Sequence, residues 1–322
     1  MSYTNGLDKP SDYFNTKLYT GTGSELAITG VGFQPDWVWT KSRSNTLNHN
    51  VYDSVRGVNK GLKPNTTDSE FNDAQSLKSF NSDGFTVGTD SHINTSSATF
   101  ASWNWKESAT SGFDIVQFES NGSGIATVSH NLNAVPKFII TKNIDVSDSW
   151  QCYHNSLGNT GFITLNTTSA SGTTSTFWNS TTPTSSNFQV SKTNLVSGTI
   201  ICYVFAEKKG FSKFGSYTGN GSTDGTFVYT GFKPAFVIYK RYDSGTYSWV
   251  LVDNKRNTFN AVDKYVHPDL SAAEGTVTLM DFLSNGFKMR VNDTTSNQGS
   301  IIYMAFAENP FVTSTGVPAT AR

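Results

Sequence analysis

Charge is what this chain has least of. Asp, Glu, Lys and Arg make up 15% of its 322 residues, against about 25% in ordinary soluble domains. The 24 basic and 25 acidic side chains nearly cancel, so no net field draws the chain to nucleic acid or to an acidic lipid face, and neither is an expected partner. Cysteine is scarce too. Cys152 and Cys202 both have apolar or aromatic neighbours; buried free thiols are the better reading, with a disulfide as the alternative. The five histidines are scattered, with no His-x-x-x-His and no Cys-x-x-Cys, so zinc is not expected. Asp68, Glu70 and Asp73, or Asp145 and Asp148, offer oxygen atoms but no EF-hand pattern. Gly219-Asn220-Gly221 lacks the strand-to-helix context and the Lys-Ser/Thr of a phosphate loop. The expectation is no cofactor. No apolar run approaches the ~20 residues of a membrane helix, and nothing at Met1-Ser2-Tyr3-Thr4-Asn5 reads as a leader, so synthesis in the cytosol is expected.

Repetition is what the chain has in place of motifs. A strand opens after Pro35, Pro136 and Pro234, at spacings of 101 and 98, and each reaches a lysine six residues later: Lys41, Lys142 and Lys240. Other markers keep the same order. Val51-Tyr52-Asp53, Cys152-Tyr153-His154 and Leu251-Val252-Asp253 recur, as do Asn65-Thr66-Thr67 and Asn166-Thr167-Thr168. The closing strands align as 101–106, 202–207 and 303–308, which puts Lys106 opposite Glu207 and Glu308. A unit of roughly 100 residues holds one small core and is too long for a solenoid repeat.

The short, β-branched and aromatic runs between Gly-rich turns read as strands. The expected fold is all-β: three tandem related antiparallel β-sandwich modules of about 100 residues. The expected divisions are 1–16 as an extended anchor, 17–112, 113–210 and 211–311 as the modules, and 312–322 as a tail. About eight strands per module are expected, each module folding independently. Near-continuous apolarity in the closing strands says both faces are covered, by a second layer or by a neighbouring module. Residues 69–79 and 271–283 admit a short helix, the second with Ser271 and Glu274 as a capping box.

Candidate contact residues are aromatic. Trp103 and Trp105, two apart on a strand, share one face and suit stacking on a sugar ring or a partner; core packing is the competing reading. Phe177 and Trp178 centre an uncharged stretch, either as a docking surface or as an inward anchor. Tyr13 and Phe14 stand out near the start as candidates for docking on a larger assembly. Catalysis is not expected. Asp53 and Asp253, each followed three residues later by Arg56 or Arg256, read as structural ion pairs rather than general acids, since an adjacent guanidinium lowers a carboxyl pKa.

With these motifs the chain resembles a family of tandem-repeat virion proteins of tailed bacteriophages, especially of marine bacteria, labelled tail fibre or phage structural protein. The resemblance covers roughly 17–322. It is carried by Gly32-Phe33-Gln34-Pro35-Asp36-Trp37-Val38-Trp39, Tyr52-Asp53-Ser54-Val55-Arg56-Gly57, Phe211-Ser212-Lys213-Phe214-Gly215-Ser216-Tyr217-Thr218-Gly219-Asn220-Gly221 and Met304-Ala305-Phe306-Ala307-Glu308-Asn309-Pro310-Phe311. It implies a virion component, made in the host cytoplasm, with other virion proteins as partners. A host-surface glycan or receptor is the expected target, and a homo-oligomer, a trimer, the expected state. A capsid-decorating protein without host contact is the alternative, and a glycan-degrading enzyme ranks third.

Overall fold

The computed structural model describes residues 7–320. The chain is almost entirely β, in antiparallel sheets. Three of these sheets share one order. Phe14–Thr20, Thr99–Trp105, Trp37–Ser42 and Asn50–Asp53 lie side by side in the first. Phe113–Asn121, Ser197–Ala206, Pro136–Asn143 and Gln151–His154 repeat that order in the second, extended by Gly161–Thr164 and Gly172–Thr173. Ser212–Asn220, Gln298–Pro310, Phe232–Arg241 and Val250–Asp253 form the third. Each is accompanied by a smaller sheet: Leu26–Thr29 with Gly84–Val87 and Leu77–Asn81, then Ile125–Ser129 with Asn187–Ser191, then a four-stranded one beginning at Phe227–Tyr229.

Why the main strands are apolar on both faces follows from where those faces go. Alternate residues point to opposite sides. In the second sheet Ile139, Tyr153, Cys202 and Val204 face the smaller sheet, packing with Val128, Phe188 and Val190. Phe138, Ile140, Cys152, Tyr203 and Phe205 face the other way, into a cluster to which all three main sheets contribute. Trp37, Trp39, Trp103 and Trp105 enter it from the first sheet, and Phe236, Ile238, Met304 and Phe306 from the third. Trp37 stacks on Tyr203 with centroids 4.5 Å apart, and Trp105 meets Phe306 at 5.7 Å. Each such ring, fully buried, contributes about 1.5–3 kcal/mol. The largest core of the molecule therefore lies between the main sheets.

Several expectations give way here. Residues 271–283 form no helix: Gly275–Leu283 is a strand, and Glu274 bonds Arg43 at 2.8 Å instead of capping. Residues 69–79 contain two strands, Phe71–Asn72 and part of Leu77–Asn81. The one α-helical turn among the described residues, Ser91–Asn94, is capped by Asp90, which accepts from His92 N. The aligned closing strands were one residue out of step. Trp105 pairs with Trp37, Phe205 with Phe138 and Phe306 with Phe236, so Glu107, not Lys106, matches Glu207 and Glu308. Residues 1–6 of the expected anchor, 1–16, lie outside the described residues, and its remainder runs into the first sheet, because Phe14 begins a strand paired with Trp105. Cys152 and Cys202 project from opposite faces of one sheet, which keeps the two thiols free and rules out a bridge.

Candidate functional site

The main sheets meet through a cyclic set of polar contacts. Asp53 ends a strand of the first sheet, and its carboxylate holds the Arg56 guanidinium at 2.6 Å and backbone N at 2.8 Å. The same carboxylate accepts the Tyr203 hydroxyl of the second sheet at 2.7 Å. Asp253 and Arg256 repeat this pair at 2.6 Å in the third sheet, and there Trp103 Nε1 of the first sheet donates at 3.0 Å. In the second sheet the position is His154. Its partner position is Met304, which has no donor, and His154 Nε2 meets the Tyr303 carbonyl instead, at 3.2 Å. Burial holds the Tyr203 hydroxyl well above its usual pKa, so it remains a donor.

Two of the recurring lysines, Lys142 and Lys240, serve these junctions, while Lys41 bonds Ser42 O and Asn45 O within its own segment. Lys142 Nζ donates to Asp148 O at 2.9 Å within its own segment and to Thr67 O at 3.0 Å across the junction; Lys240 likewise reaches Thr168 O at 2.9 Å. Burial lowers both to about 8. Trp150 Nε1 donates to Lys63 O and Thr66 O, each at 3.1 Å, and Trp249 Nε1 to Thr164 O at 3.0 Å. These groups bind the junctions together and none is available to a ligand.

The candidate contact residues fall inside the protein. Trp103 and Trp105 sit in the shared core at 0% and 1% exposure, Phe177 and Trp178 in the core of the second sheet at 3% and 1%. A ligand from solvent would have to open the core to reach them, which corrects the stacking-surface reading. Phe14 is likewise enclosed, stacked on Phe306 at 5.1 Å, and Tyr13 packs edge-on against Phe211 at 6.2 Å. They are part of the fold, not aromatics on a free arm.

Two features went unread in the sequence. The first is a carboxyl pair. Glu107 lies half-buried against Asp114, and burial together with the hydrogen bond to Asp114 raises its pKa. A raised acid beside a second carboxylate invites a glycosidase reading, but that chemistry needs carboxyls about 5 to 9.5 Å apart. Here they are hydrogen-bonded to each other, and Asp114 also accepts Asn131 N at 2.6 Å. Carboxyls in direct contact leave no space between them for a sugar. No cluster of three His, Cys, Asp or Glu suited to a metal occurs among the described residues.

The second feature is a cavity of about 400 Å³ where the second sheet passes into the third. Glu207 and Lys213 form one wall, 2.8 Å apart, and Tyr229, Gly231 and Phe311 the other. Gly231 has φ +82°, and the Tyr229 ring lies 3.6–3.8 Å from where a Cβ at that position would stand, so the ring leans over the glycine. Tyr229 is 59% exposed and Phe311 39%. The signal that would have found it is the alternation in Phe227-Val228-Tyr229, which puts an aromatic on the outer face of an edge strand.

Residues 9–310 match the family model described as a domain of unknown function, DUF7483. The chain belongs to this family. No curated protein and no solved structure matches it. The matched span takes in all three main sheets and the Glu207–Lys213 wall of the cavity, and ends one residue before Phe311.

Proposed function

We propose that the chain is a structural component of a bacteriophage virion, built from three related sandwich units and binding a host surface as part of a tail fibre. The observation that carries the binding part is the contrast between core and cavity. All seven tryptophans are fully buried, whereas Tyr229 and Phe311 stand open at one cavity beside a charged pair. Two exposed aromatics that meet a charged pair at one concave site make the mixed apolar and polar lining of a small-ligand pocket. The motifs of the resemblance supply the virion part. The Asp53–Arg56 and Asp253–Arg256 pairs, fully enclosed, suit positioning and not proton transfer.

The test is immunogold labelling of purified particles with an antibody raised against this chain. Label at the tail is the expected result. Label over the head would replace host contact with capsid decoration, and particles without label would overturn the virion assignment.

A further inference from the structure

We infer that the cavity between Glu207, Lys213, Tyr229 and Phe311 is a saccharide site, taking one pyranose ring with its apolar face on the Tyr229 ring. This deepens the surface-binding reading and rests on it. Three observations converge. First, the fold does not need an aromatic there. Tyr229 lies opposite Gly286 in its ladder, while the corresponding positions opposite Gly84 and Asn187 are Thr29 and Ser129. A phenol 59% exposed at a site where small hydroxyl residues suffice elsewhere is placed for contact with something outside.

Second, the polar wall pairs an acceptor with a donor. Lys213 Nζ and Glu207 Oε1 stand 2.8 Å apart, each side chain about one-third exposed, and the other carboxylate oxygen receives only a long contact of 3.4 Å from Phe214 N. Adjacent sugar hydroxyls match such a couple: one donates to the carboxylate, its neighbour accepts from the ammonium, and both bonds are charge-assisted. An aliphatic ligand would make no use of either charge. Third, the equivalent junction one sheet earlier lacks these means. Asp114 stands in place of Lys213 and closes on Glu107 and Asn131 N, and Ser129 stands in place of Tyr229, so these two positions supply neither a cationic donor nor an aromatic there. The volume of about 400 Å³ falls in the range of small-ligand pockets.

The experiment is saturation-transfer NMR on the full chain with free glucose, galactose, mannose and N-acetylglucosamine, followed by titration of the best. Transfer to ring C–H protons is expected for at least one sugar. It is lost in Tyr229→Ala and kept in Phe259→Ala, which removes an exposed aromatic remote from the cavity lining. Glu207→Gln should weaken binding about tenfold, the loss of one charge-assisted bond. Unchanged thermal melting of each variant certifies the fold. No transfer from any of the four sugars, or transfer that survives Tyr229→Ala, overturns the site. Particle labelling is scored separately, so a virion protein without sugar binding and a sugar binder absent from particles are distinct results.

Discussion

His154 is enclosed at the meeting of the second and third sheets, accepting Ser156 N at Nδ1, 3.1 Å away, and giving its Nε2 proton to Tyr303 O. Only the neutral ring can do both, and burial lowers its pKa from 6.5 to about 4. A histidine depressed in the fold contributes stability that is complete above its unfolded pKa and is lost as pH falls toward the folded one. Acidification from about pH 6.5 to 4 should therefore remove up to about 3 kcal/mol through this residue. Urea midpoints at the two pH values should differ less in His154→Gln than in the parent; an equal difference would clear His154 of the effect. Tyr203→Phe tests the neighbouring junction. It removes the hydroxyl from the buried Asp53 carboxylate, and a loss of about 1–3 kcal/mol is expected by chemical denaturation, against almost none for Tyr229→Phe at the open cavity. The sequence showed which positions recur and paired Asp53 with Arg56, as the structure does, but not with Tyr203. The contact with Tyr203 spans 150 residues, and no local pattern encodes a distance of that kind.

At the scale of the strand, register decides what a residue does. The strands and their apolar character were readable from β-branched runs between turns. The closing strands were misplaced by one residue, and a one-residue shift moves every side chain to the other face. That shift put Trp103 and Trp105 with Val204 and Ala206, which face a smaller sheet, when their true counterparts Tyr203 and Phe205 face the shared core. The alternation that marked Trp103 and Trp105 as a pair was correct, and the side they took was decided by sheets distant in sequence. Gly275–Leu283 was harder, because a capping-box pattern preceded it while the Glu274 side chain was spent on Arg43 and Arg256. Phe236→Ala should reveal which layer matters more. Phe236 touches Phe14, Trp103 and Trp105 of the first sheet at centroid distances of 5.4, 6.3 and 5.6 Å. A cost of about 3–5 kcal/mol is expected, with the near-ultraviolet signal of the first sheet's tryptophans lost in the same transition. Loss confined to the third sheet would mean the sheets unfold separately.

For the whole molecule, independent modules are a weaker description than the repeat suggested. A segment covering 113–210 would carry Phe138, Ile140, Tyr203 and Phe205 into water, since those rings belong to the shared cluster. Expressed alone it should self-associate or remain molten, by size-exclusion and dye binding, while the full chain unfolds in one step. A soluble, cooperatively folding fragment would show that the smaller cores suffice.

The contacts also run from the last sheet back to the first. Phe306 stacks on Phe14, and Ser314 N donates to Asp8 at 2.8 Å, so the two extremities of the described chain lie together. Covalent continuity between the sheets is then interchangeable. A circular permutant that begins at residue 211, passes from Ser314 through a short linker to Leu7 and finishes at Gly210 keeps every sheet and the same core, Leu7 included. It should fold and melt within a few degrees of the parent, which would make the order of the three segments along the chain no requirement of the structure.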